Sequence, residues 1–432
     1  MRRHRWLVVT AAVLVLCLDA LALRLFWGQL GGPTRTVRPS RETTYILKPL
    51  GPDGLPDYRA FLHRRQLGSH PRSSNALLEL YTAIGPRLFM ERSLSWATAD
   101  LGLSADQQGA LVRTEAYAHA ACPLDERRCA KMLDDALSAD CVGLSGEPAE
   151  LVRAWIASNG RALDAARRAG EKPMLYAPFD EQGMSSLAWN ALLPLERALV
   201  CRGTLRFEQG DYEAAAADVV TLWKLAELSR TGHGLLPAIF GFAVVGVSNR
   251  LAAKLAASGD APPRVADELL RSIPIIDDRS LMIAWIEHER IEALFVLVHA
   301  ARAKKAGAGT QSKLYPQTRA FDLERVFRRV NDSFDRLDSA ASAPTRAARL
   351  RALSAAAKLL HERWKRSVDG LEVIRCAVPF ARRWCTLNER IGDLVFNGKA
   401  MAHTMLPKLH EKMASVEEVR RALLAARART KP

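Results

Sequence analysis

Apolar residues recur every three or four positions through most of the chain, and the breaks between these stretches fall at Gly, Pro or Asp. Ser74-Asn75 opens one stretch and Gly85-Pro86 closes it. Ser104-Ala-Asp-Gln107 fits a capping box, which predicts a helix start there. Residues 124–139 read as a helix with Leu133 and Leu137 on one face. Pro148 to Gly170 read as one continuous helix, striped by Leu151, Val152, Trp155, Ile156 and Leu163. Residues 171–184 form a loop. Helices are then expected over 185–208, 211–231, 234–258, 263–273, 278–305, 319–338, 345–375, 379–396 and 415–428, the last opened by a second capping box, Ser415 to Glu418. Sustained two-residue alternation is missing, as is any Asn-Gly turn between β-branched runs. The predicted fold class is all-α, an irregular array of helical hairpins (a degenerate α-solenoid or a bundle) behind an N-terminal membrane helix.

That membrane helix is the clearest hydropathy feature. Met1 to Arg5 is a basic cluster that runs straight into an apolar stretch, Trp6 to Trp27. A basic head stays in the cytoplasm, which places the body outside it. As an anchor, the stretch has about the 20 residues a spanning helix needs, with a tryptophan at each interface. Asp19 and Arg24 oppose that reading, because charge in hydrocarbon is costly. As a cleavable signal, Leu7 to Leu18 is the apolar core and Ala20-Leu-Ala22 the small-residue cleavage site. The localisation expected is a single-pass bacterial inner-membrane protein with a periplasmic or extracytoplasmic body. The alternative is secretion after cleavage near Ala22. Leu235 to Val247 is also strongly apolar, but thirteen residues are too few to span a bilayer, so a central buried helix is expected.

Residues 28–57 are dense in Gly and Pro and read as a linker, and 306–318 read as a second one. They divide the chain into 1–27, the linker 28–57, a helical body 58–305, the linker 306–318 and a basic helical region 319–432.

Composition changes the picture in two ways. At 432 residues, 49% hydrophobic and 25% charged, the chain is globular and long enough for several domains. Its net charge of +15 suits solvated helix faces, or contact with anionic lipid or cell-wall polymer, and export makes nucleic acid an improbable partner. Of seven cysteines, Cys17 falls in the membrane stretch, leaving Cys122, Cys129, Cys141, Cys201, Cys376 and Cys385. In an oxidising compartment Cys122 with Cys129, and Cys376 with Cys385, are locally plausible pairs.

Residues 196–229 resemble a tetratricopeptide hairpin at Gly203, Gly210-Asp211-Tyr212 and Ala215. Arg202, Arg206 and Glu227 depart from that pattern, and Pro237 stands where a following repeat would place its glycine. The resemblance implies a helical hairpin locally and a protein-interaction role.

Catalytic signatures do not emerge. Gly-x-Ser-x-Gly, Ser-x-x-Lys, a phosphate loop and CxxC are all missing, and nothing calls for a cofactor. The best metal candidates are His288, Glu292 and His299, which share one helical face at spacings of four and eleven. Tyr176, Phe179, Asp180, Glu181 and Trp189 offer aromatic and acidic groups for a partner around the 171–184 loop. Arg346, Arg349, Arg351, Lys358, Arg363, Lys365 and Arg366 spread charge around the C-terminal helices. The function expected is a membrane-tethered helical scaffold or protein-interaction module of the bacterial envelope. The alternatives are an envelope hydrolase or metal-dependent enzyme centred on His288, Glu292 and His299, and an anionic lipid or wall-polymer binder using the C-terminal Arg clusters.

Overall fold

Residues 212–231 are apolar nearly all the way round, so the helix they form must be enclosed by others. A computed structural model describes residues 37–68, 70–179, 186–231, 235–275, 277–305, 323–345, 347–349, 351–356, 358–359 and 406–429. Among these residues the regular elements are helices, and only isolated β-bridges occur. The α-helices are α1 (Tyr58–Leu67), α2 (Ala76–Ile84), α3 (Leu94–Leu101), α4 (Thr114–Ala121), α5 (Glu126–Ser138), α6 (Gly146–Ser158), α7 (Gly160–Gly170), α8 (Leu193–Glu208), α9 (Tyr212–Thr231), α10 (Leu235–Ala257), α11 (Pro263–Ser272), α12 (Asp278–Lys305), α13 (Leu323–Ala341) and α14 (Leu406–Arg429). The membrane stretch 6–27, the linker 306–318 and residues 361–405 lie outside the described residues.

The described residues divide into two compact units. One holds those of 37–58, 289–343 and 351–359; the other holds those of 59–288, 344–350 and 406–429. In the larger unit α9 packs against α7, α8, α10 and α11. Ala215, Val219, Leu222, Trp223 and Ala226 are buried in that contact. A single carboxylate, Asp218, sits among them with only 2% of its side chain exposed. Arg202 Nε and Nη2 of α8 donate to it at 3.1 and 2.5 Å, and Arg206 Nη1 at 2.9 Å. Burial raises the proton affinity of Asp218, and the two guanidiniums oppose that rise.

The next layer is α10. By length and composition its stretch Pro237–Ala257 could cross a membrane, yet 67% of the apolar window is buried inside the protein. Gly241 lets α10 approach α9: a Cβ there would lie 2.6 Å from the Ala226 carbonyl oxygen. The far side of α10 is covered by α14, whose Val416, Val419 and Leu423 point inward at helical spacing. A polar chain crosses all three helices. Trp223 Nε1 donates to Asn249 Oδ1 at 3.0 Å, and Asn249 Nδ2 donates to Ser415 Oγ at 3.1 Å. Ser415 is thus an interior residue of α14, not the cap of a helix starting at 415. The helix runs back to Leu406.

Two other boundaries differ from the sequence reading. Residues 148–170 form two helices, broken at Asn159, which is fully buried. Its Oδ1 accepts from the Val112 amide at 2.7 Å, and its Nδ2 donates to the Val112 and Trp155 carbonyls. Those side-chain bonds compete with the helical ladder and turn the chain. Ser104 opens no helix either. Gln107 N bonds back to the Ser104 carbonyl in a turn, and α4 begins only at Thr114. The intervening chain runs along the end of α2, with Ala110 N donating to Thr82 O and Leu111 N to Ala83 O. Gly109 fits there because it meets Gly85 backbone to backbone; a Cβ on Gly85, whose φ is +75°, would lie 2.4 Å from the Gly109 nitrogen.

In the smaller unit the Pro- and Gly-rich residues 37–57 are packed, not extended. Their turns present carbonyls and an acid to helical side chains. Asn331 Nδ2 of α13 donates to the Glu42 and Thr43 carbonyls, Arg302 Nε of α12 donates to Asp53 Oδ2 at 2.8 Å, and the Tyr58 phenol donates to the Thr44 carbonyl. Arg290 is buried, 4.4 Å from the centre of the Tyr45 ring, with its Nη1 2.8 Å from Asp335.

Gly241→Ala tests the α9–α10 contact. The Ala226 carbonyl is backbone and cannot yield, so the variant should lose about 1–3 kcal/mol of stability in urea unfolding. An unchanged midpoint would show that the helices sit further apart.

Candidate functional site

The loop after α7 returns across the start of α2, and Asn75 holds it there. Asn75 Oδ1 accepts from the Leu77 amide at 3.1 Å, capping α2, and also from the Tyr176 amide at 3.0 Å. Its Nδ2 donates to the Tyr176 carbonyl at 2.8 Å. This pair of hydrogen bonds holds the Tyr176 backbone in place. The phenol oxygen lies 2.7 Å from His63 Nδ1 of α1 and 3.4 Å from Asp100 Oδ2 of α3. The two rings meet edge to face at 5.0 Å. Around them, Arg59 Nη2 is 3.7 Å from Asp100 while its guanidinium faces the Trp96 ring, and Arg72 Nη1 donates to the Asp100 carbonyl at 2.7 Å.

These contacts shift two protonation states. Burial pushes the Tyr176 phenol up, Asp100 adding to the rise, so it keeps its proton. Burial lowers the His63 imidazole below its usual 6.5; Asp100 opposes this, and Arg72 and Arg59 reinforce it. Tyr176 has one proton to give. When that proton goes to Asp100, His63 Nδ1 must be the donor to Tyr176; when it goes to His63, Asp100 keeps only its arginine contacts. The cluster therefore has two hydrogen-bonding arrangements. It also ties α1, α3 and the loop together.

The residues expected from sequence are distributed as follows. Tyr176 and Phe179 are each 3% exposed. Phe179 faces His288, ring centres 6.1 Å apart, and Trp189 is half-buried against Phe240 at 5.5 Å. Asp180, Glu181 and the side chains of Glu292 and His299 lie outside the described residues. His288 is buried, and among the described residues no three His, Cys, Asp or Glu side chains converge as a metal site. In the C-terminal clusters Arg349 is buried, Arg351 and Lys358 are exposed, and Arg346, Arg363, Lys365 and Arg366 lie outside the described residues.

The cysteines pair across the fold. Cys141, just past α5, is bonded to Cys201 of α8, sixty residues away. Closing a loop of that length stabilises the folded chain by about 4 kcal/mol in the chain-entropy model. Cys122 and Cys129 are thiols, and Cys376 and Cys385 lie outside the described residues.

Sequence reasoning found Tyr176 but not its partners. His63 lies in Tyr-Arg-Ala-Phe-Leu-His-Arg-Arg-Gln-Leu, a helix with little periodic signal, and its contact is 113 residues distant. Asn75 was the one legible member, as a helix cap. No protein-family model matches the chain, and neither a curated protein nor a solved structure does.

Because His63 binds a proton less readily folded than unfolded, its contribution is complete above about pH 6.5 and is lost as the pH falls below that. The urea midpoint should therefore drop between about pH 7.5 and about pH 5.5, and His63→Gln should flatten part of that drop. An equal drop in the variant would remove His63 as its source.

Proposed function

We propose that the chain is a membrane-tethered helical interaction module of the bacterial envelope. Residues 6–27 hold it at the inner membrane, and the helical body binds a partner protein without turning over a substrate. One observation carries the reading. From α4 to α11 each helix packs against the next in chain order, as in stacks of helical hairpins that present extended binding faces. The α8–α9 hairpin, where the residues resemble a tetratricopeptide unit, lies within that run.

Further support comes from how the body uses its polar groups. Asp218 with its two arginines, the Trp223–Asn249–Ser415 chain and the Asn75–Tyr176 clamp each join helices or loops to one another. The Cys141–Cys201 bridge favours an oxidising compartment and hence export.

The test is site-specific photo-crosslinking in the native host. A photoreactive residue replaces exposed Lys131 or Asp135 of α5, or exposed Arg161 or Asp164 of α7. The expected result is one envelope protein crosslinked repeatedly from one of these faces. Absence of any crosslinked protein from both faces, with the Cys141–Cys201 bond intact, would overturn the reading. Protease added to spheroplasts should digest the body from outside; protection until lysis would invert the topology.

A further inference from the structure

The α4–α5 hairpin brings two thiols together. Cys122 terminates α4, its amide donating to the Ala118 carbonyl. The chain then turns, Asp125 N bonding back to Cys122 O, and Cys129 N bonds to Asp125 O in the opening turn of α5. Residues 122 and 129 thus sit at the two ends of one short turn between packed helices, and their thiols are near neighbours. The two are unlike. Cys122 is half-buried and borders an exposed stretch, 123–128, while Cys129 is buried. Elsewhere in the same unit Cys141 and Cys201 are already oxidised.

We propose that Cys122 and Cys129 form a thiol–disulfide exchange site, in which Cys122 attacks a disulfide supplied from solution and Cys129 resolves the product into a second disulfide of the protein. The co-reactant is a disulfide-bearing oxidant, either a small-molecule disulfide or a protein oxidoreductase. The Cys122 thiolate attacks one sulfur of R–S–S–R′, forming a Cys122–S–S–R bond and expelling R′–S⁻. The Cys129 thiol then loses its proton, and its sulfur attacks Cys122 Sγ, expelling R–S⁻. The protein gives up two electrons and two protons, and the oxidant leaves as two thiols.

The order of attack follows from the surroundings. The neighbouring Cys122 thiol, burial, and the nearby Asp125 and Glu147 carboxylates push Cys129 up to about 11, so in isolation it is a poor nucleophile in neutral solution. Once Cys122 carries the mixed disulfide, Cys129 faces the reacting sulfur at high effective concentration, and proximity compensates for its low thiolate fraction. The exposed turn at 123–128 gives even a protein oxidant room to reach Cys122. Closure would tie the end of α4, an eight-residue helix, covalently to α5.

The full-length protein, with these two thiols reduced, is incubated with oxidised glutathione. The products are followed by differential alkylation and peptide mass, with the Cys141–Cys201 peptide as the check on folding. The wild type should give a linked Cys122–Cys129 peptide and no lasting glutathione adduct. Cys129→Ser should accumulate glutathione on Cys122, and Cys122→Ser should leave Cys129 unmodified over the same interval. Glutathione persisting on wild-type Cys122, or Cys129 modified as fast in Cys122→Ser as Cys122 is in Cys129→Ser, would overturn the proposal. So would both thiols remaining open to alkylation while Cys141–Cys201 stays bonded.

Discussion

The ion cluster at Asp218 sets the register on which the larger unit depends. A carboxylate inside an otherwise apolar helix is tolerable only where cations meet it, and both cations come from one face of α8. Sliding α8 along α9 by a turn would put one arginine where the other now sits and leave the buried Asp218 with one cation instead of two. The pairing therefore specifies one arrangement out of the many that apolar packing alone would allow. Once α8 and α9 are fixed, Gly241 determines how closely α10 lies against α9, and α10 in turn offers the surface that α14 covers. Specificity starts from a polar contact and is carried outward by apolar ones.

Much of this was legible because helices advertise themselves. Apolar spacing placed α5, α9, α10 and α11 to within a few residues, and the glycine and proline at 85–86 marked the end of α2 correctly. The misses share one cause. At Asn159 and Ser104 the decisive bonds run to residues far away in sequence: Val112 for the first, and the end of α2 for the chain that follows the second. Ser415 reads as a cap by local pattern, yet its partner Asn249 is 166 residues away. The same blindness hid His63 and Asp100. A cap, a turn and a buried hydrogen-bonding partner use the same small polar vocabulary, and tertiary contact alone separates them.

The cysteines make the same point in covalent form. Spacing favours near neighbours, and the near pair 122/129 does come together as thiols, while the bond present in the fold joins Cys141 to Cys201. That bond links the chain after α5 to the middle of α8, on the helix that also supplies the arginines for Asp218. Covalent and electrostatic constraints thus converge on α8.

The position of α14 has a consequence in time. Unit-forming residues 406–429 are made after the rest of that unit, and until they emerge, the face of α10 that they cover is bare. That face belongs to the most membrane-like stretch among the described residues. During synthesis the unfinished chain therefore carries a long helix with one apolar face uncovered. Covering that face therefore waits on the last-made helix among the described residues.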